Sequence, residues 1–377
     1  MNGRSDYPGD SDSGGAYCTD INFITADNVN GPLHSNDAIL VCGSPNFNGD
    51  TSTSWSGESG LRYRVNTGCS GNDPDFANPG DPAEQPPLTM PPSNSVIKAE
   101  TDAGLGGCLY TGPTRIRLRA NGTMDVRSPF SKQTNNSCPT NGNGALPSNG
   151  VIYVQNVPSV AGDPNYTSGC PYSVNGRAHP LGFPITNDIN TYGCRNGDVF
   201  VEGTLDGQLT IAAENNIVVT WDTTYEDGVA GDDLLGLIAN NYVEMYHPVS
   251  CSSSSSSCNL NFSLPSGSLF SGESNKSSRN TTATLNAAIL SVNHSFWVQQ
   301  YAAGSAMTEL EVLGAIAQRY RGPVGTTSGG SVVTGYAKDY TYDQRLQYLS
   351  PPKFLDPVSA AWRVATWAEV KTPASHT

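Results

Sequence analysis

The feature that most constrains this chain is a series of short apolar runs, each introduced by Asn, Asp, Gly or His. They are NDAILVCG (Asn36–Gly43), NGVIYVQN (Asn149–Asn156), NGDVFVEG (Asn196–Gly203), NNIVVTW (Asn215–Trp221), NNYVEMY (Asn240–Tyr246) and HSFWVQQY (His294–Tyr301). Between them lie LDGQLTIAAE, LLGLIA, LNAAILSV and LEVLGAIAQ. Runs this short, bounded by turn formers, read as strands rather than helices. The 40 glycines and 26 prolines among 377 residues lie well above the usual combined share of roughly 12 %, which disfavours a helical bundle.

The spacing of the runs narrows the fold. Val199 to Ile217 is 18 residues, Ile217 to Val243 is 26 and Ile289 to Val312 is 23, the rung length of a chain coiling into a β-solenoid. The expected fold is all-β, a right-handed parallel β-helix with long loop insertions. One coil cannot bury its inward face alone, so stacking supplies the core, and turns such as Asn215-Asn216 and Asn240-Asn241 can stack as ladders. An irregular β-sandwich with glycine turns is the competing reading. Residues 1–17 are expected to be a flexible lead-in and 18–350 the solenoid, with insertions at about 66–100, 128–190 and 250–280. Residues 351–377 form a capping segment and tail, in which Val358, Trp362, Ala365 and Trp367 follow Pro351-Pro352 at near-helical spacing.

Nine cysteines in a chain rich in Asn, Ser, Thr and Gly indicate an extracytoplasmic protein whose thiols are mostly paired, against the alternative of a cytoplasmic chain with reduced thiols. There is no C-x-x-C. Cys251 and Cys258 flank a serine loop that a local disulfide can close, and the other pairings stay open. The odd count leaves one thiol over, for which Cys42, inside an apolar run, is the candidate buried free cysteine. The N-terminus has no leader and no window reaches the ~18 apolar residues of a membrane span, so the expectation is a fragment whose missing N-terminal part carries the anchor. A net charge of −14 and a pI near 4.6, without clustered Lys or Arg, argue against nucleic acid as a partner.

Motifs for chemistry are sparse. The acidic stretch with Asp222, Glu226, Asp227, Asp232 and Asp233 is a candidate Ca²⁺ loop or glycan-cleaving cluster, but its spacing is not that of an EF-hand, and a solvated loop is the simpler reading. His34, Ser35, Asn36 and Asp37 hold a base, a hydroxyl and a carboxylate together. Strand neighbours point to opposite faces, so the group reads as a turn in which Ser35, Asn36 and Asp37 satisfy backbone N–H groups. His34, His179, His247, His294 and His376 show no metal-ligand spacing. No nucleotide-binding or serine-hydrolase motif occurs. Tyr153, Tyr166, Tyr172, Tyr192, Tyr242, Tyr246, Trp297 and Tyr301 can stack on sugars if they face outward, or pack inside the coils. The sequons at Asn121 and Asn280 matter only in a eukaryotic secretory host. No catalytic, cofactor-binding or metal residue is assigned, and no cofactor is expected.

Several strings support a resemblance. NVNGPLHSNDAILVCGSPNFNGDTST (Asn28–Thr53) resembles the opening of PilX-like, type IV pilus assembly-associated proteins of actinobacteria. GCLYTGPTRIRL (Gly107–Leu118), Thr191–Tyr225, Asp232–Pro248, Leu310–Thr326 and the closing GYAKDYTYDQRLQYLSPPKFL (Gly335–Leu355) are similar to the same group, which covers Cys18 to Val370 almost completely. Members begin with a hydrophobic pilin-like segment that is not seen here. The resemblance implies an exported, non-enzymatic structural protein of the bacterial envelope or cell surface, with pilus or envelope subunits and cell-wall or host glycans as partners, and membrane contact only through the absent segment. A polysaccharide-active β-helix enzyme or a carbohydrate-binding module is the alternative.

Overall fold

Strands of two kinds build this chain: Ile39–Cys42 alternates buried and half-buried side chains, the period-two pattern of a strand with one face inward, whereas Val151–Gln155 and Leu234–Ala239 are buried on both faces. A computed structural model describes residues 21–69, 71–78, 82–170, 179–183, 193–247, 249–251, 258–260, 263–274, 276, 282–328 and 331–355. Nine strands come first: β1 (Phe23–Ile24), β2 (Asn28–Asn30), β3 (Leu33–Ser35), β4 (Ile39–Cys42), β5 (Asn46–Phe47), β6 (Thr51–Thr53), β7 (Tyr63–Val65), β8 (Asp75–Phe76) and β9 (Ala83–Glu84). They form three successive passes, joined by the parallel ladders β1–β4–β7, β2–β5–β8 and β3–β6–β9. Phe23, Val29, Ile39, Val41 and Phe47 make a small core of their own. Within it Phe47 stacks on Phe76, with ring centroids 4.9 Å apart.

The remaining strands are β10 (Cys108–Thr111), β11 (Thr114–Arg119), β12 (Thr123–Arg127), β13 (Asn141–Ala145), β14 (Val151–Gln155), β15 (Val199–Leu205), β16 (Gln208–Ala213), β17 (Ile217–Tyr225), β18 (Leu234–Ala239), β19 (Val243–Met245), β20 (Val249–Cys251), β21 (Cys258–Leu260), β22 (Ala283–Ser291), β23 (Phe296–Val298), β24 (Ala306–Gln318), β25 (Gly325–Ser328) and β26 (Ser331–Tyr342). The fold is thus mostly β, and its long ladders are parallel: β10–β14–β16–β18–β22–β24–β26 and β11–β15–β17–β19–β23. Among the described strands, antiparallel pairing is confined to β11–β12–β13, β20–β21 and β25–β26, with one isolated antiparallel bridge between Glu58 and Leu61, unlike the opposed antiparallel layers of a sandwich. Inward Val, Ile and Leu from successive strands, among them Val199, Ile217 and Val243, fill one continuous core.

Two of the three sequence spacings are rung lengths. Val199 lies opposite Ile217 and Ile217 opposite Val243. The third is not, because Ile289 faces Ile316 while Val312 faces Leu285. The polar turns do stack: Asn241 Nδ2 donates to Asn215 Oδ1 at 2.7 Å, and Asn215 Nδ2 to Asp198 Oδ1 at 2.6 Å. Where β15 turns a corner, Gly203 has φ of +107° and a Cβ there would strike the Leu118 carbonyl of the neighbouring strand, so only glycine fits.

The order of the stack is not the order of the chain. β26 pairs in parallel with β2, so the first three passes sit beyond the last one. The chain then travels back along the stack. Gln85 donates its N–H to Thr53 O, Asn36 holds Leu88, and Asn94 reaches Ala213 and Ile238. The 3₁₀ turn Ser95–Thr101 buries Ile97 beside Val151 and Ile238. After β26 the chain returns again. Arg345 donates to the carbonyls of Gly228 and Gly231, and Phe354 lies where a Cβ on Gly236 would be, 2.6 Å away. Lys353 and Glu100, 3.3 Å apart, tie the two return segments together.

Residues 66–100, read as an insertion, contribute β8, β9 and this return segment. Residues 128–190 include β13 and β14, and 250–280 include the β20–β21 pairing and a loop laid over β11 and β15. The lead-in 1–17 and the near-helical run beyond Leu355 lie outside the described residues, as do His376, Tyr172, Tyr192 and Asn280. Among the described residues, Cys42 pairs with Cys69, Cys108 with Cys138 and Cys170 with Cys194. The expectation of a free Cys42 is therefore corrected. Ile39 and Val41 point inward, whereas Leu40 and Cys42 occupy the alternate, partly exposed face, where a thiol meets a partner instead of the core. Three disulfides indicate an oxidising extracellular or periplasmic environment. No helix among the described residues is long and apolar enough to cross a membrane.

Candidate functional site

A groove of about 480 Å³ on the first three passes is lined by His34, Asp50, Ser52, Asn78 and Gln85. Strand stacking builds it, since His34 of β3 lies in register with Ser52 of β6. The His34 Nδ1 to Ser52 Oγ distance is 2.9 Å, and Nε2 lies 3.0 Å from Asn36 Oδ1. Asn36 is oriented from outside: its Nδ2 donates to Leu88 O at 2.6 Å and its Oδ1 accepts from Leu88 N at 2.8 Å. Oδ1 is thus an acceptor, matched by an N–H on His34 Nε2, while the Ser52 hydroxyl lies between His34 Nδ1 and the Leu33 carbonyl, 3.4 Å away. Asn78 Nδ2 donates to Asp50 Oδ1 at 2.6 Å on the same wall. These fixed donors and acceptors suit hydroxyl-bearing ligands.

The neighbours of His34 behave as a turn. Ser35 Oγ accepts from Asp37 N at 3.2 Å and Asp37 Oδ1 accepts from Ala38 N at 2.8 Å, which are local side-chain to backbone bonds. The hydroxyl that meets His34 comes from the next pass, 18 residues on, which adjacency in sequence hides. The rung spacing could have found it.

The acidic stretch is tied into the backbone. Asp233 accepts from Gly207 N at 2.6 Å and from Asp227 N at 3.0 Å, and Asp222 accepts from Thr284 N at 3.1 Å. Among the described residues no three His, Cys, Asp or Glu side chains gather as a metal-binding group. Tyr153, Tyr242, Tyr246 and Trp297 are buried, while Tyr166 and Tyr301 are half-buried. The first four therefore pack inside and form no outward sugar platform.

Sequence reading missed a buried charge cluster on the outer face of β11 and β15. Arg115 Nη2 donates to Glu202 Oε1 at 2.9 Å, and its Nη1 to Glu273 Oε2 at 2.7 Å. Lys276 Nζ also reaches Glu202 Oε1, at 2.8 Å. The Arg115 guanidinium sits 4.6 Å from the Phe270 ring centre. Burial raises the Glu273 carboxyl, but hydrogen bonds from Arg115 and the Phe270 N–H, with the charges of Arg115 and Arg117, outweigh it and hold it down to about 2. This cluster anchors the loop around residues 263–276 to the strands. His179 is buried in an apolar patch with Phe183 and Phe200, and burial lowers its imidazole to about 3, so it is neutral at physiological pH.

No family model, no curated protein and no solved structure matches the chain.

Proposed function

We propose that this chain is a non-enzymatic, exported structural subunit, a parallel β-solenoid rod displayed at the bacterial surface. The observation that carries the reading is the parallel ladder that runs without a break through β24, β26, β2, β5 and β8, joining the last described strand to the first passes in one stack. Stacked passes are stiff because each buries what its neighbour exposes, and disulfides add resistance in an oxidising exterior. Pilus or envelope association, with other subunits or glycans as contacts, rests on the resemblance of Asn28–Thr53 and Gly335–Leu355 alone. The test is fractionation of cells carrying the full-length gene: labelling by a membrane-impermeant reagent and release with sheared pili support the reading, and an unlabelled cytosolic pool overturns it.

The groove around His34 and Ser52 favours a second reading, a carbohydrate-binding surface. Retention on polysaccharide columns that is lost in His34→Ala and in Asn78→Ala supports it, while passage in the void volume removes it.

A further inference from the structure

We propose that the three-pass unit of residues 21–84 is exchangeable: it docks on β26 of a second copy of this chain, so that copies join head to tail. The proposal deepens the structural-subunit reading and rests on it.

Three observations carry the inference. The first is the independence of the unit, whose apolar cluster of Phe23, Val29, Ile39, Val41 and Phe47 is separate from the main core. The second is the joint itself, which is polar and complementary. Lys338 Nζ meets Asp27 Oδ2 at 2.7 Å. Arg321 donates to the carbonyls of Ile21 and Asn22 at 3.0 and 3.1 Å and lies 3.4 Å over the Phe23 ring. Asn30 Nδ2 donates to Asp339 Oδ1 at 3.1 Å. Every one of these partners is about 300 residues away along the chain, so nothing local distinguishes the β26 of the same copy from that of another.

The third is the tether. Gln85, Leu88 and Asn94 touch the same turn line at successive levels of the stack, at the third pass, the first pass and the β18 level. From Leu88 to Asn94 the levels run β2, β26, β24, β22 and β18. Four steps of ~4.8 Å make about 19 Å, covered by six residues at about 3.2 Å each. Gln85 to Leu88 covers two steps in three residues, again about 3.2 Å each. A chain extends at most ~3.3–3.6 Å per residue and polyproline II rises about 3.1 Å, so this segment, with Pro86, Pro87, Pro91 and Pro92, is taut. Short hinge segments without slack invite exchange between copies. Each copy carries one unit and one seat on different surfaces, a heterologous contact that extends into open filaments.

Full-length chains with Asn30→Cys alone and Thr341→Cys alone, positions in register across the joint, are mixed at rising concentration and treated with a short bis-maleimide. The parent chain gives the background, and the double variant is the geometric control. Expected is a covalent pair between the two single variants that grows with concentration, while the double variant also closes within one chain. Deleting Pro86 and Pro87 leaves too little tether to reach, and the interchain share is expected to rise at least tenfold. A double variant that closes internally while the mixed single variants give no heterodimer at any concentration overturns the exchange. Failure of the double variant to close removes the joint itself. A strictly monomeric chain that is still released with sheared pili loses the exchange and keeps the structural reading.

Discussion

Asp27 and Lys338, 311 residues apart, hold one buried ion pair: the Lys338 ammonium lies 2.7 Å from Asp27 Oδ2, and Asp27 Oδ1 accepts the Lys338 backbone N–H at 3.1 Å. Asp27 also accepts from Ile24 N at 3.0 Å, so one carboxylate serves the corner of the first pass and the last strand together. Burial lowers the Lys338 amine, against the attraction of Asp27, which marks the pair as a desolvated contact whose energy depends on both partners being present.

Breaking it from one side leaves a buried charge unpaired. Asp27→Ala is expected to cost about 3–5 kcal/mol and to open the first three passes. Urea unfolding followed by proteolysis within residues 21–84 reads both effects. The double replacement Asp27→Leu with Lys338→Met should recover most of the loss, and a double variant no more stable than Asp27→Ala contradicts this account.

The stacked asparagines make a second, additive contribution. Asn215 donates to Asp198 and accepts from Asn241, so Asn215→Ala removes both bonds, while the buried Asp198 keeps its bond from the Asn216 N–H. The expected loss is about 1–3 kcal/mol in all, at roughly 0.5–1.5 kcal/mol per lost bond. Asn121→Ala, at an exposed hairpin position, serves as the comparison and should stay within about 0.5 kcal/mol.

The loop anchored by Glu273 should respond to acid. Its carboxyl is depressed from 4.5 to about 2 in the folded chain, so its stabilising contribution is complete above pH 4.5 and fades as pH falls toward 2. Lys276 lies 4.8 Å from the Trp221 ring centre. Indole fluorescence is therefore expected to change across this window, and Glu273→Gln should flatten the change. A transition of unaltered size in Glu273→Gln assigns the acid response elsewhere.

Cys42 should be found oxidised. Non-reducing peptide mapping is expected to recover Cys42 joined to Cys69, a bond closing a loop of 27 residues. Its removal in Cys42→Ser with Cys69→Ser costs about 2–4 kcal/mol. Alkylation of Cys42 in the unreduced protein would return it to the free-thiol reading.

Much of the architecture can be read in the runs and their spacing. The step from Val199 to Ile217 to Val243 measures two passes because inward side chains must lie over one another for the core to close, and Asn215 and Asn241 fall on one line for the same reason. The 23-residue step from Ile289 fails because β22 and β24 are long strands: several apolar positions in each are equivalent in pattern, and only the pairing says which faces which. The burial side of Cys42 was equally ambiguous, since a continuous apolar run does not show its phase.

Composition, strand length and rung spacing by themselves determined a mostly β chain built of parallel passes with paired cysteines, because those properties follow from side-chain size, turn chemistry and period along neighbouring residues. Which strand follows which in the stack was decided by tertiary structure alone. Asp27 with Lys338 and Arg115 with Glu273, 311 and 158 residues apart, meet only after the chain has doubled back on itself. Backbone hydrogen bonds of a parallel ladder are the same whatever the side chains, so any edge can accept any strand, and long-range charge and packing choose among them.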